Sequence, residues 1–260
     1  MAKHPQPTHI FHMYRKDGTA VFLHPFRKTD KLHALLTKSE IIGHYGQEPR
    51  IESLTLFRNE LYRQIDQEVK TWVADSRFIP RFLLSALTFM VAYFLLSFII
   101  RDPVPVVDEL VLSFGISILA YILLGRRDMQ SEGALKRKIE MKNKVDGIVF
   151  TESDFARSVE AFLNEREEQT SEELLTTIAA GEALSVAGEY DEESAQMLDY
   201  LEQLFSGSDY KQAQKRLKRM RRDGTGRSRE NLEKWIRKQK VDIPLLTVYW
   251  GLRDKVHTGQ

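Results

Sequence analysis

Three histidines near the amino terminus, His9, His12 and His24, are the residues of this chain whose type and grouping best suit a bound metal ion, because neutral imidazole is the commonest protein ligand for such ions. Their spacing argues against that use. Residues 10–26, IFHMYRKDGTAVFLHPF, hold two β-rich runs flanking Asp17-Gly18, a strong signal for a hairpin turn. A two-residue turn there sets Tyr14 opposite Val21 and His12 opposite Leu23, so His12 and His24 point to opposite faces. A three-residue loop would place them diagonally on one face, yet His9 still has the opposite parity to His12 on its own strand. No third ligand emerges. The expectation is a small N-terminal β-hairpin with surface histidines, no metal and no cofactor.

A second group with chemical potential is Asp108 and Glu109, in IIRDPVPVVDEL between two of the most apolar stretches of the chain. In an oligomer they could form a carboxylate ring at a cation entrance. The simpler reading is a turn: Pro103 and Pro105 remove backbone donors and fix φ, and the two carboxylates then suit the positive end of a following helix, with Asp108 as its N-cap. Catalytic patterns are absent from the rest of the chain. There is no Gly-rich phosphate loop, no His-Glu-x-x-His and no Gly-x-Ser-x-Gly, and GTGRSRE lacks the lysine and spacing of a P-loop. Cysteine is also absent, which excludes disulfides, thiolate metal sites and thiol catalysis.

The stretches around Asp108 explain its setting. Residues 79–100, IPRFLLSALTFMVAYFLLSFII, carry one charge, Arg81, near their start, and have the length needed to cross a bilayer core. Residues 104–124, VPVVDELVLSFGISILAYILL, have it when Asp108 and Glu109 are included. Both are apolar on all faces rather than along one stripe, unlike helices that cover a soluble core. Arg77 and Arg81 precede the first span; Arg126, Arg127, Lys136, Arg137 and Lys138 follow the second. That distribution places both termini in the cytoplasm and the short connection outside. The amino terminus lacks an apolar core segment, so insertion is expected to rely on these internal spans rather than a cleaved signal. Between their ends the spans contain no Asp, Glu, Lys, Arg or His, which disfavours a transporter. Ser113 and Ser117 form a small-xxx-small pair that allows close helix packing, within the hairpin or between protomers.

The flanking segments are mostly helical in pattern. Leu32, Leu35, Leu36 and Ile42 have helical spacing, broken at His44-Tyr45-Gly46; a longer amphipathic helix starts near Pro49 and carries Leu54, Phe57, Leu61, Ile65 and Trp72. Residues 147–150 are a short strand candidate that could join the N-terminal hairpin. Beyond it, helices are expected from Thr151 with Phe155, Val159 and Phe162; from Thr170, which forms a capping box with Glu173; and around Leu198, Leu201 and Phe205. Two more come next, carrying Leu217 and Trp235, and a last one begins at Pro244.

Charge is strongly segregated here. Residues 151–207 contain 15 Asp or Glu and 2 Lys or Arg, a net of −13, whereas residues 208–240 contain 13 Lys or Arg and 4 Asp or Glu, a net of +9. The acidic and basic helices are expected to face each other within or between chains. A second use sets Lys211, Lys215, Arg216, Lys218, Arg219, Arg221 and Arg222 against anionic lipid headgroups. Nucleic acid is disfavoured, since no binding motif accompanies the basic run.

The expected fold is mainly α: a two-span transmembrane helical hairpin, a cytosolic helical bundle and a small β-hairpin element. The expected division is an N-terminal cytosolic segment over 1–78, the hairpin over 79–125, a basic connector over 126–150 and the bundle over 151–260. The expected function is that of a non-catalytic, membrane-anchored interaction or assembly module, with a protein partner or a second copy of itself. An oligomeric two-span channel and an enzyme of an unrecognised family are the alternatives.

Overall fold

The computed structural model describes residues 7–26, 32–99, 107–170, 173–174, 191–205 and 242–258, with isolated positions between 215 and 234. Among them are four strands and eight helices, and the chain divides into two compact units. The first joins residues 1–27, 38–57 and 148–260; the second joins 28–37 and 58–147.

The first unit is built on a mixed sheet of order β2-β1-β3-β4, with β1 at Thr8–Tyr14, β2 at Ala20–Leu23, β3 at Ile41–Tyr45 and β4 at Phe150–Glu152. The expected hairpin is β1–β2, with a different register: Tyr14 pairs with Ala20 and His12 with Phe22. The reason lies in the turn. Gly18 takes φ +82°, its N–H donates to the Arg15 carbonyl, and the Arg15 N–H donates to the Thr19 carbonyl. Asp17 Oδ1 accepts from both the backbone N–H and the hydroxyl of Thr19. This longer loop shifts the pairing by one residue, and so moves every β2 side chain to the other face of the earlier register. Within the sheet, His12 thus lies beside Phe22 rather than across from Leu23.

Ile41 and Ile42 also depart from the helical spacing. The helical spacing begun at Leu32 ends with helix α1 at Leu32–Lys38, and IIGHY is a strand running parallel to β1. Consecutive β-branched residues favour the extended form, and tertiary pairing overrides a weak helical period. β4 then runs parallel to β3, with Gly43 paired to Phe150 and Tyr45 to Glu152. Thr151 therefore belongs to β4, and Ser153 caps the following helix by accepting from the Ala156 N–H at 3.2 Å. Gly43 has a specific role in this arrangement, because a Cβ there would lie 2.5 Å from the Phe150 ring.

Helices α6 (Asp154–Glu167), α7 (Glu192–Phe205) and α8 (Ile243–Thr258) supply most of the core. Val159, Phe162 and Leu163 of α6, Met197 and Leu201 of α7, and Leu246 and Tyr249 of α8 are buried with Phe11, Met13 and Leu23 of the sheet. The helices expected over the C-terminal segment are, where described, a layer on this sheet. The capping box at Thr170 is present: its N–H donates to Glu173 Oε2 at 2.8 Å and its hydroxyl accepts from the Glu173 N–H at 3.3 Å. The helices expected around Leu217 and Trp235 lie mostly outside the described residues. On the opposite sheet face, Phe22 stacks on Phe57 with ring centroids 4.4 Å apart.

In the second unit, the later part of α2 (Ile51–Ser76) pairs with α5 (Glu132–Asp146). Leu61, Ile65, Val69 and Val73 are buried, as are Ala134, Met141 and Val145. Arg137 bonds Glu68 at 2.7 Å while its guanidinium lies over Trp72, and Lys138 bonds Asp66 at 2.8 Å.

Helices α3 (Phe78–Ile99) and α4 (Val107–Met129) are each long and apolar enough to cross a membrane. They lie antiparallel, with contacts between Arg81 and Asp128, Ser85 and Ser117, and Ser97 and Glu109. Their large apolar side chains point outward, with Phe94 62% and Phe98 81% exposed. A core helix of a soluble protein would bury such groups. Helix α4 starts at Val107, so Asp108 and Glu109 occupy its first turn instead of Asp108 capping it.

At Gly46 the backbone of α6 approaches closely: a Cβ would sit 2.8 Å from the Arg157 Cα and 3.0 Å from the Ala156 carbonyl. Gly46→Ala is expected to destabilise the protein by about 1–3 kcal/mol, the usual cost of overpacking. Gly115→Ala, where nothing lies within 4 Å of the new methyl, serves as the control in thermal unfolding of the full chain in detergent.

Candidate functional site

Parallel pairing of β1 and β3 sets Phe11 beside His44, which puts His9 and His44 diagonally on one sheet face. That face is the one covered by α7. The two rings meet with His9 Nδ1 2.7 Å from His44 Nε2, a hydrogen-bond distance between two buried imidazoles. The other ring nitrogen of His44 lies 3.7 Å from Glu193 Oε1, in the first turn of α7. Asp191 precedes that turn and holds it: its Oδ1 accepts from the Ser194 N–H at 3.0 Å, and its own N–H donates to Ser194 Oγ at 2.8 Å.

Surrounding groups fix each member. The His9 N–H donates to Gln196 Oε1 at 3.0 Å, and the same oxygen accepts from the Tyr200 hydroxyl at 3.0 Å. Gln196 Nε2 donates to the Pro7 carbonyl, which ties the start of β1 to α7. Ser153 Oγ donates to Glu193 Oε2 at 2.9 Å. Burial pulls the His44 imidazole below its ordinary pKa; Glu193 opposes that change, His9 adds to it and Asp191 opposes it. Burial also raises the Tyr200 hydroxyl, with Asp199 reinforcing it, so that group remains a donor.

The arrangement is a carboxylate–imidazole–imidazole line. In the neutral pair one ring donates and the other accepts, and its outer end is a half-exposed carboxylate. Ser153 is bonded to the carboxylate rather than to an imidazole, which differs from the nucleophile–base pairing of acyl-transfer sites. One ligand atom from each of His9, His44 and Glu193 lies within 4.8 Å of the others, so this trio can converge on a cation.

The histidines singled out from the sequence separate. His9 enters the cluster; His12 and His24 lie on the other sheet face among Tyr14, Phe22 and Phe57. His12 is fully buried, and neither of its ring nitrogens has a hydrogen-bond partner among the described residues. Sequence spacing singles out neither His44 nor Glu193. The available signal for His44 was the β-branched pair preceding Gly43, which marks a strand; nothing local marks Glu193 as different from its acidic neighbours.

Of the other sites expected from the sequence, Ser113 and Ser117 are buried. Ser117 Oγ donates to the Ser85 carbonyl and Ser85 Oγ to the Ser117 carbonyl, each at 2.9 Å, while Ser113 Oγ donates to the Glu109 carbonyl. Lys215, Arg216, Arg219 and Arg222 occupy exposed helical positions; Lys211, Lys218 and Arg221 lie outside the described residues. A cavity of about 490 Å³ is lined by Tyr14, Arg15, Lys16, Gln47, Arg50 and Glu168, among others. Its cations are already engaged: Arg15 with Glu167 and Asp242, Lys16 with Glu168, and Arg50 over the Tyr14 ring. Compared with family models, curated proteins and solved structures, the chain matches none.

Burial lowers the pKa of His12 to about 4 from an ordinary 6.5. The native state therefore binds fewer protons than the unfolded chain between these values, and His12's contribution to stability, complete above about 6.5, is lost as pH falls toward 4. With 1.36 kcal/mol per pKa unit, that loss is on the order of 3 kcal/mol. In urea titrations of the full chain across this range, His12→Phe is expected to lose less stability on acidification than the parent. Parallel pH profiles for the two proteins would contradict this assignment.

Proposed function

We propose that this is a two-span membrane protein whose extramembrane domain lies in the cytoplasm and acts as a non-catalytic interaction or assembly module. The observation that carries the reading is the pairing of β3 with β4. Residues 43–45 and 150–152 share one sheet, and both apolar helices lie in the chain between them. A chain that crosses a bilayer twice and then re-enters the sheet it left must have both flanks on one side. The basic residues Arg77, Arg126, Arg127, Lys136, Arg137 and Lys138 at the ends of the spans favour the cytoplasm as that side.

The module reading draws on three further features. Both hydroxyl groups at the centre of the helix pair are spent on each other's backbones, which favours a packed anchor over a polar conduit. The buried histidine pair is not joined to a nucleophile. The opposed net charge of residues 151–207 and 208–240 in the sequence suits an electrostatic partner or anionic headgroups.

The cysteine-free sequence makes topology directly measurable. Thr19→Cys and Ala161→Cys should both react with a membrane-impermeant maleimide only when the cytoplasmic face is open, and Asp102→Cys only from the opposite face. Labelling of Thr19→Cys and Ala161→Cys from opposite sides would overturn the shared-sheet topology. For the module itself, extraction in mild detergent followed by native mass measurement should give a defined heteromeric complex. A partner-free homo-oligomer whose reconstituted conductance changes on Asp108→Asn and Glu109→Gln substitution would replace this reading with a channel.

A further inference from the structure

The geometry points to His9, His44 and Glu193 as a binding site for a divalent transition-metal ion of the zinc class. This inference is independent of membrane topology, because all three residues belong to the first unit. Two imidazoles and a carboxylate are the donor set that zinc accepts in open sites, with a fourth position left to water. Here the set comes from three separate elements: His9 from β1, His44 from the parallel neighbour β3, and Glu193 from the start of α7. Such a site is specified by tertiary structure rather than by spacing in sequence.

The two rings reach ligand spacing by a small movement. Zinc–nitrogen bonds of 2.0–2.1 Å in a tetrahedron separate ligand atoms by about 3.3 Å. His9 Nδ1 and His44 Nε2 stand 2.7 Å apart, so the ion takes the place of their shared proton while the rings part by about half an ångström. The three ligand atoms span no more than 4.8 Å. Glu193 Oε1 stands 3.7 Å from the other His44 nitrogen, Nδ1, so its side chain, 24% exposed, must swing round the edge of that ring to reach an ion held at Nε2, whereas the buried rings are held by β1 and β3.

The surroundings support the same outcome. Both rings are buried, and zinc takes imidazole in its neutral form. The Ser153 hydroxyl on Glu193 Oε2 and the Gln196 side chain on the His9 backbone are outer contacts of the kind that orient ligands. The one proton held between the rings is not released as a net charge change: it belongs to a neutral imidazole, which presents its other tautomer once the ion arrives. Glu193 supplies the single negative charge, leaving the loaded site at +1.

The full chain in detergent, freed of metal by chelation and dialysis, should be titrated calorimetrically with Zn²⁺. The expected result is one saturable high-affinity equivalent, a rise in unfolding temperature that excess chelator reverses, and a visible absorption band of a four-coordinate N/O site when Co²⁺ is used instead. His44→Gln should abolish that equivalent, and Glu193→Gln should weaken it at least tenfold. Glu193→Gln keeps an acceptor for Ser153 and so remains informative if the His44 variant does not fold. Absence of saturable binding, or binding of equal affinity in the parent and the Glu193→Gln variant, would overturn the site and leave the two rings as a hydrogen-bonded pair.

Discussion

Parallel pairing of β3 with β4 closes a loop of roughly a hundred residues, and the first unit depends on that closure. By the chain-entropy relation such a loop costs about 4 kcal/mol to close, before any constant for the first contact. Three register pairs do not offset this cost, since a short parallel edge contributes little by itself. The offset comes from the segment after β4. Ser153 donates its N–H to the Tyr45 carbonyl and caps α6, and α6 then delivers Val159, Phe162 and Leu163 into a core shared with Phe11 and Met13. Helices α3 and α4 also reduce the effective length, because Arg81 and Asp128 meet across the pair and return the chain close to where it entered.

That closure explains the two glycines of the β3 end. At Gly43 the Phe150 ring occupies the space a side chain would take, and at Gly46 the α6 backbone does. Neither has a positive φ, so they answer to close approach rather than to turn geometry. The Glu160 carboxylate is also caught here, accepting from the Gln47 N–H, with burial raising its pKa above the ordinary range.

How much of this was legible in the sequence depends on which interactions are local. The apolar helices were legible because composition alone decides them, and the box at Thr170 because it closes within four residues. The hairpin was legible at Asp17-Gly18, but its register was not. Register depends on whether Arg15 and Thr19 close the turn or stay in the strands, and the dipeptide serves both forms. Strand β3 was hidden because the leucine period from Leu32 ran on into Ile42, and only a neighbouring strand in place could say otherwise. The cluster at His44 was unreadable for a related reason: Glu193 reaches it from a helix that meets β1 only through the folded core, and its own surroundings, DEES, look like ordinary solvated acid.

The histidines then show how environment, not residue type, assigns a role. His12 and His9 are three residues apart on one strand, and parity alone separates them. His12 is enclosed by Tyr14 and Phe22 with no polar partner among the described residues, so its chemistry is suppressed and its ring acts as an aromatic filler that resists acid poorly. His9 faces a second imidazole and a line of polar side chains from α7. A buried polar group is costly unless paired, and here the pairing is supplied by elements drawn from before and after the two apolar helices. The same fold constraint that stitches these flanks together therefore creates the one place in the described structure where two imidazoles and a carboxylate converge. A change that loosened β3 from β4 would be felt in the core through α6 and at His44 through its strand, which makes the cluster a sensitive reporter of whether the two flanks are joined.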